Sequence, residues 1–258
     1  MLSLLLAALT WLAPGSQDPP RPPEPERIAA AVSLLEAAFK TGEMADRIGA
    51  IRGGSEVLDA RVVAWIAKGL KVKEPAVRVE AIEALGRMPH PDSLAALQNY
   101  YRVEKKRLRK DPSLLPRVLN ALSAQGNPSA IDILLDDVQA QMVDRTLRAR
   151  FYGLARIRSE QSIEAVFDLM KLVGFIEIYT YAEDFRLALV VLTGEDLGRN
   201  HDSWHAWWNA NRKTFEVDPR MPKLQGGDWT RWSDYWGLPA KQPGVDPEPA
   251  PKPPQEGR

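Results

Sequence analysis

His201 and His205 stand four residues apart, the spacing at which one side of a helix presents two imidazoles to a metal ion. Little else in the sequence completes such a site. No glutamate occupies the zinc-protease position between them, there is no cysteine, and His90 is the only other histidine. Asp202 reads better as a helix N-cap, which places His201 outside the helix. Asp136-Asp137 and Glu195-Asp196 are paired carboxylates, but neighbours in sequence point in different directions on a helix and do not share a proton. Gly53-Gly54-Ser55 lacks the nucleophile-elbow pattern, and no phosphate-binding loop is present. No catalytic residue, metal ligand or cofactor is nominated, and the chain is expected not to be an enzyme.

Two other concentrations of chemistry remain. Tyr100-Tyr101-Arg102 through Lys105-Lys106-Arg107-Leu108-Arg109-Lys110 is the one dense basic run. It reads as the solvated end of a helix rather than a nucleic-acid surface, because 34 basic residues are balanced by 34 acidic ones. Six of the eight tryptophans fall between positions 204 and 236, so the C-terminal region is chemically unlike the rest. Trp204, Trp207, Trp208 and Phe215 share a helical face, and Trp229, Trp232, Tyr235 and Trp236 follow a Gly226-Gly227 break. Such a cluster either covers the open end of a stack of helices or forms a platform for sugar rings or a partner's apolar patch. Helical spacing favours the cover.

The elements that must position these residues are helices. At 258 residues and 45% hydrophobic content, the chain has enough apolar material for a substantial core. Lys73–Gly86 is the clearest unit: Val77, Ala81, Ala84, Leu85 and Met88 form one stripe, and Glu80, Glu83 and Arg87 lie opposite. Pro75 suits the first turn and Gly86 the last. Arg78 falls inside the apolar arc, where a bare helix has no use for a charge. Further helices are predicted from about residue 26 to Thr41-Gly42, from Met44 to Arg52, and from Val57 to Leu70. Others are expected at Leu114–Ala124, Thr146–Arg158 and Ala182–Leu192. Loops rich in Asn, Asp, Ser and Pro make Leu58, Leu94, Ile131 and Ile163 equivalent, at spacings of 36, 37 and 32 residues. Two helices per period of that length define an α-solenoid.

The sequence Val77-Arg78, Ala81, Ala84-Leu85-Gly86 resembles the HEAT-repeat family over roughly residues 26–194. The resemblance implies that an arginine at this position bonds to the neighbouring repeat, a structural role for Arg78 and, with a one-residue shift in the following loop, Arg148. The middle copy departs from the pattern, with Leu115 at that position and Arg117 displaced. Leu192-Thr193-Gly194 followed by Trp204–Asn211 is similar to the closing segment of many bacterial HEAT-repeat proteins. Tetratricopeptide repeats share the period, but their glycine and tyrosine consensus is not seen. Among enzymes related to these repeats, one branch binds iron through His-Glu dipeptides, which this chain lacks, and some others are bilin lyases or DNA glycosylases. A lyase or hydroxylase activity would rest on fold analogy alone.

Met1–Ala13 is almost wholly apolar, shorter than the roughly 20 residues of a membrane span, and is followed by small residues and a proline-rich stretch. This predicts a cleaved export signal; the absence of cysteine excludes a lipoprotein anchor. The expected fold is therefore all-α: an α-solenoid of about four to five antiparallel helix pairs, with an aromatic C-terminal cap and disordered proline-rich ends. The boundaries are a signal peptide at 1–16, a proline-rich spacer at 17–25, the solenoid at 26–194, a tryptophan-rich cap at 195–238, and a disordered tail at 239–258. The expected function is an exported, periplasmic or extracellular scaffold that binds an unknown protein or peptide. Binding of nucleic acid is not expected, nor stable membrane insertion after signal cleavage. Arg78, Glu80, Glu83, Arg148 and Arg150 are the candidate binding residues on the second helices. Trp204, Trp207 and Trp208 are candidates for the alternative, a carbohydrate or cell-envelope polymer binder.

Overall fold

A computed structural model describes residues 23–174 and 179–244. The predicted signal peptide, most of the spacer, and residues 245–258 of the predicted tail lie outside the described residues. The helices are α1 (Pro25–Thr41), α2 (Met44–Gly54), α3 (Ala60–Lys68), α4 (Pro75–Arg87), α5 (Pro91–Leu108) and α6 (Leu114–Ala124). They continue as α7 (Ile131–Leu135), α8 (Asp144–Ile157), α9 (Glu160–Val173), α10 (Ala182–Thr193), α11 (His201–Asn211) and α12 (Gly226–Trp236).

Local chemistry sets most starts. Prolines open α1, α4 and α5, where a missing N–H is harmless. Asp59 accepts from the Arg61 N–H, and Ser159 from the Ser162 N–H, capping α3 and α9. Two predicted boundaries shift. The third helix begins at Ala60 rather than Val57, because the Asp59 cap starts it, and it tightens to a 3-10 turn at Gly69–Lys71. The second runs through Gly53-Gly54 instead of stopping before them.

The first ten helices form five pairs in two layers, an α-solenoid. The first helices of the pairs, α1, α3 and α5 in series and then α7 with α9, pack along one layer. The second helices, α2, α4, α6, α8 and α10, pack in an unbroken series along the other. A helix inside such a series is buried on several sides, which explains why α4 hides Val77, Arg78, Ala81, Ile82, Ala84, Leu85 and Gly86 together. Glycine is required at two of these crossings for close approach rather than for turn geometry. A Cβ on Gly86 would lie 2.8 Å from the Ala121 Cα, and one on Gly153 would lie 2.3 Å from the Ser123 Oγ.

The fourth pair is irregular. The helix expected from Ile131 lasts five residues and stops at Asp136-Asp137, where Asp137 adopts a left-handed backbone (φ 60°). Its early end frees the Leu134 carbonyl inside the fold, and the Arg150 guanidinium donates to that oxygen.

Beyond Gly194, α11 closes the end of the stack. His201 lies against Phe185 of α10, and His205 stacks on Phe167 of α9 with ring centroids 4.4 Å apart. The predicted cap residue is corrected here. Asn200, not Asp202, accepts from the Asp202 and Ser203 N–H groups, so His201 is the first residue inside the helix. The predicted tail boundary also moves. Residues 239–244 are held to the fold: the Ala240 carbonyl accepts from the Trp229 indole, and the Gln242 amide bridges Leu224 and Pro222.

Candidate functional site

The layer of second helices is the extended surface on which charge recurs from repeat to repeat. On its first half, Arg47 of α2 pairs with Glu74 at 3.0 Å, and Arg52 with Glu80 at 2.8 Å. Arg87 reaches the other Glu80 oxygen at 3.4 Å, and Arg117 of α6 pairs with Glu83. Glu80 is nearly buried between its two arginines; Glu83, Arg87 and Arg117 are substantially exposed. Exposed pairs of this kind contribute only about 0–1 kcal/mol each, so a partner can rearrange them at little expense to the fold.

The second half of the same surface is covered. Helix α12 lies across α6, α8 and α10, anchored at four places. Asp228 forms a bidentate pair with Arg186, both contacts at 2.9 Å. The Tyr235 hydroxyl donates to the Asn120 side chain at 2.9 Å. Trp232 and Tyr235 pack on the Tyr152 ring, with centroids 5.7 and 4.8 Å away. The Arg156 guanidinium sits 4.4 Å over the Trp236 ring.

Electrostatics beneath α12 follow from burial. The Tyr152 hydroxyl is desolvated and donates to Asp184 at 2.5 Å, which raises its pKa far above the ordinary tyrosine range. Burial pushes Tyr235 up to about 12 and Arg156 down to about 10. Arg186 is held protonated by hydrogen bonds to Asp228 and Asp196, and Glu183 is a third carboxylate on it. Asp184, almost wholly inaccessible, also receives Arg148 at 3.4 Å and lies 3.9 Å from Arg231.

Residues 31–112, from within α1 to just past α5, match the family model for HEAT repeats. This part of the chain is built of HEAT repeats. No curated protein matches the chain. The matched segment contains most of the first pair, the second pair and the first helix of the third; α6 and the irregular α7 pair lie beyond it.

With the HEAT framework in place, the predicted site residues separate. Arg78 is 3% exposed, which removes it from the binding surface. Its guanidinium donates to the Lys73 carbonyl of its own loop at 3.1 Å rather than to a neighbouring repeat. Its charge still reaches forward, helping to lower the Asp111 pKa in the next loop. Arg148 does reach the next repeat, through Asp184. Arg150 is fully buried, contrary to its placement on the surface, and desolvation lowers its pKa. Glu80 and Glu83 remain on the second-helix face with Arg87, as their spacing predicts, and are joined there by Arg52 and Arg117, which sequence reasoning had not grouped with them.

Trp204 is 0% exposed and Trp208 6%, while Trp207 is half-buried against Phe215. The Trp204 indole donates to the Gly198 carbonyl at 2.7 Å. These rings pack inward, so Trp204 and Trp208 offer no face to a sugar. His201 and His205 do meet, with ring centroids 4.3 Å apart, but no third metal-ligating side chain joins them among the described residues. The basic run is partly neutralised by the Asp136-Asp137 pair: Lys105 bonds to Asp136 and Arg109 to Asp137. The site that sequence reasoning missed is the seat of α12. Its one legible signal is the cluster of charges Glu183, Asp184 and Arg186 at the start of a helix that is otherwise mostly apolar.

Proposed function

We propose that this chain is a non-catalytic scaffold that binds a protein or peptide along the second helices of its HEAT repeats. The observation that carries the reading is the exposed line of charges Arg52, Glu83, Arg87 and Arg117, which crosses three successive second helices without being needed to hold them together. A partner meeting this line exchanges surface ion pairs for interfacial ones and gains orientation from their alternating sign. Arg148, Arg150, Asp184, Arg186 and Asp228 tie helices to one another, which supports the non-catalytic reading.

The apolar run at 1–13 and the small residues after it support export to the periplasm or the extracellular space. Among the described residues, no helix is long and apolar enough to cross a membrane. Mass spectrometry of the mature N-terminus tests export, with a start near residue 17 expected.

Binding is tested with a photo-crosslinking amino acid at position 83 or 117, compared with position 168 on the opposite layer. Crosslinks to a defined partner from both positions, with those from position 83 lost on Arg117→Glu, support the proposal. Equal labelling from all three positions refutes it.

A further inference from the structure

The seam beneath α12 is unlike the rest of the interior. Second helices meet one another mainly through buried Leu, Ile, Val and Ala with ion pairs at the surface, whereas α12 meets them through aromatic rings joined to a bidentate ion pair, a hydroxyl and a cation over a ring. Separating this seam exposes the Trp232 and Tyr152 rings, but with them charges and hydroxyls that water can solvate.

The solenoid side of the seam is also satisfied without α12. If Asp228 leaves, Arg186 keeps Asp196 and Glu183. If Arg231 leaves, Asp184 keeps Tyr152 and Arg148. Neither Arg186 nor Asp184 loses its last partner, the event that makes breaking a buried pair so unfavourable.

The α12 segment is also closed upon itself. Gln242 bridges both the Leu224 N–H and the Pro222 carbonyl, and Trp229 bonds to Ala240, so residues 222–242 are tied together independently of the repeats. Residues 212–225 join this unit to α11 without a helix, and a Cβ added at Gly226 or Gly227 would meet nothing within 4 Å.

We infer that the face formed by α6, α8 and α10 is a docking site for an aromatic helix, that α12 is its resident occupant, and that a partner helix of the same chemistry replaces it. This rests on the scaffold reading of the second-helix layer. The chemistry of the occupant is fixed by the anchors: aromatic rings at i, i+3 and i+4, as in Trp232, Tyr235 and Trp236, with a carboxylate at i−4 to meet Arg186. The apparent affinity for such a partner equals its intrinsic affinity scaled by the fraction of molecules with α12 released.

The test uses the full chain and two readouts. Amide hydrogen exchange is measured over residues 226–236 and over α8, in the wild type and in Asp228→Asn. A fluorescein-labelled synthetic peptide spanning residues 222–242 is titrated by polarisation, with a Trp232→Ala/Tyr235→Ala/Trp236→Ala peptide as the control. The expected results are α12 exchange at least about tenfold faster than α8 exchange, a further increase of about tenfold in Asp228→Asn, and unchanged α8. The peptide binds Asp228→Asn about tenfold more tightly than wild type, and the control peptide does not bind. Exchange of α12 and α8 as one unit overturns the inference, and so does a peptide that binds neither protein. Crosslinking at positions 83 and 117 is independent of α12, so either result leaves the scaffold reading to its own test.

Discussion

Three of the glycines within helices, Gly49, Gly86 and Gly153, stand under different steric conditions, and a methyl group added to each gives different outcomes. Gly49 of α2 has nothing within 4 Å of an added Cβ, so Gly49→Ala gains helix propensity alone and stabilises by about 0.5–1 kcal/mol. At Gly86 the same gain is opposed by backbone. The new Cβ would lie 2.8 Å from the Ala121 Cα and 2.9 Å from its Cβ, so α4 and α6 must part. A gap of roughly half an ångström already forfeits about a quarter of each dispersion contact across a seam. Overpacking of this kind costs about 1–3 kcal/mol, leaving Gly86→Ala less stable than Gly49→Ala by that amount. At Gly153 the obstacle is a side-chain oxygen, Ser123 Oγ, at 2.3 Å; the next atoms are at 3.2 Å. Ser123→Ala therefore restores at least half of the stability that Gly153→Ala loses. Ala121→Gly does not restore Gly86→Ala, because the Cα remains. Urea denaturation followed by helical circular dichroism measures all five variants. A Gly86→Ala protein as stable as Gly49→Ala, or one rescued by Ala121→Gly, would refute the close-approach argument.

Arg150→Met should cost about 1–3 kcal/mol, because the buried Leu134 carbonyl loses its donor while Asp136 keeps Lys105 and Tyr101 and Asp137 keeps Arg109; Arg150→Ala should cost about 2–5 kcal/mol more by adding a cavity. Thermal unfolding of the two variants separates these outcomes, and equal large losses would show the charge itself to be essential. Burial and the neighbouring His205 lower the His201 pKa below 6.5, so the unfolded chain binds the proton more readily than the folded one. Stability from this group is complete above about pH 6.5 and declines as pH falls toward the lower folded value. In His201→Phe that part of the decline should vanish from the pH profile of urea midpoints; an unaltered profile would contradict the assignment. Tryptophan emission of a Trp11→Phe/Trp65→Phe protein should be blue-shifted and resist acrylamide, since Trp204, Trp208, Trp229 and Trp232 are buried. Red-shifted, freely quenched emission would reopen the sugar-platform reading.

The sequence by itself determined the repeat, and through it the α-solenoid. Stripes such as Val77, Ala81, Ala84 and Leu85 are set by the helical period. Helix starts at Pro75, Pro91 and Ser159 depend on φ restriction or a capping oxygen within three residues. Those are local rules, and a chain read in order displays them. What the tertiary structure decided was how distant segments share space. Arg150 and Arg148 are two residues apart on one helix, yet one is sealed against the shortened α7 and the other reaches Asp184 in the next repeat. Gly86 reads locally as a tolerant helix end, whereas its need is set by Ala121, 35 residues away. The aromatic helix α12 has the period of a cap, but its seat is chosen by Arg186, Asn120 and Tyr152, contributed by three different repeats. Amphipathicity tells a helix which side to bury; only the assembled surface, with its particular charges in particular places, tells it where.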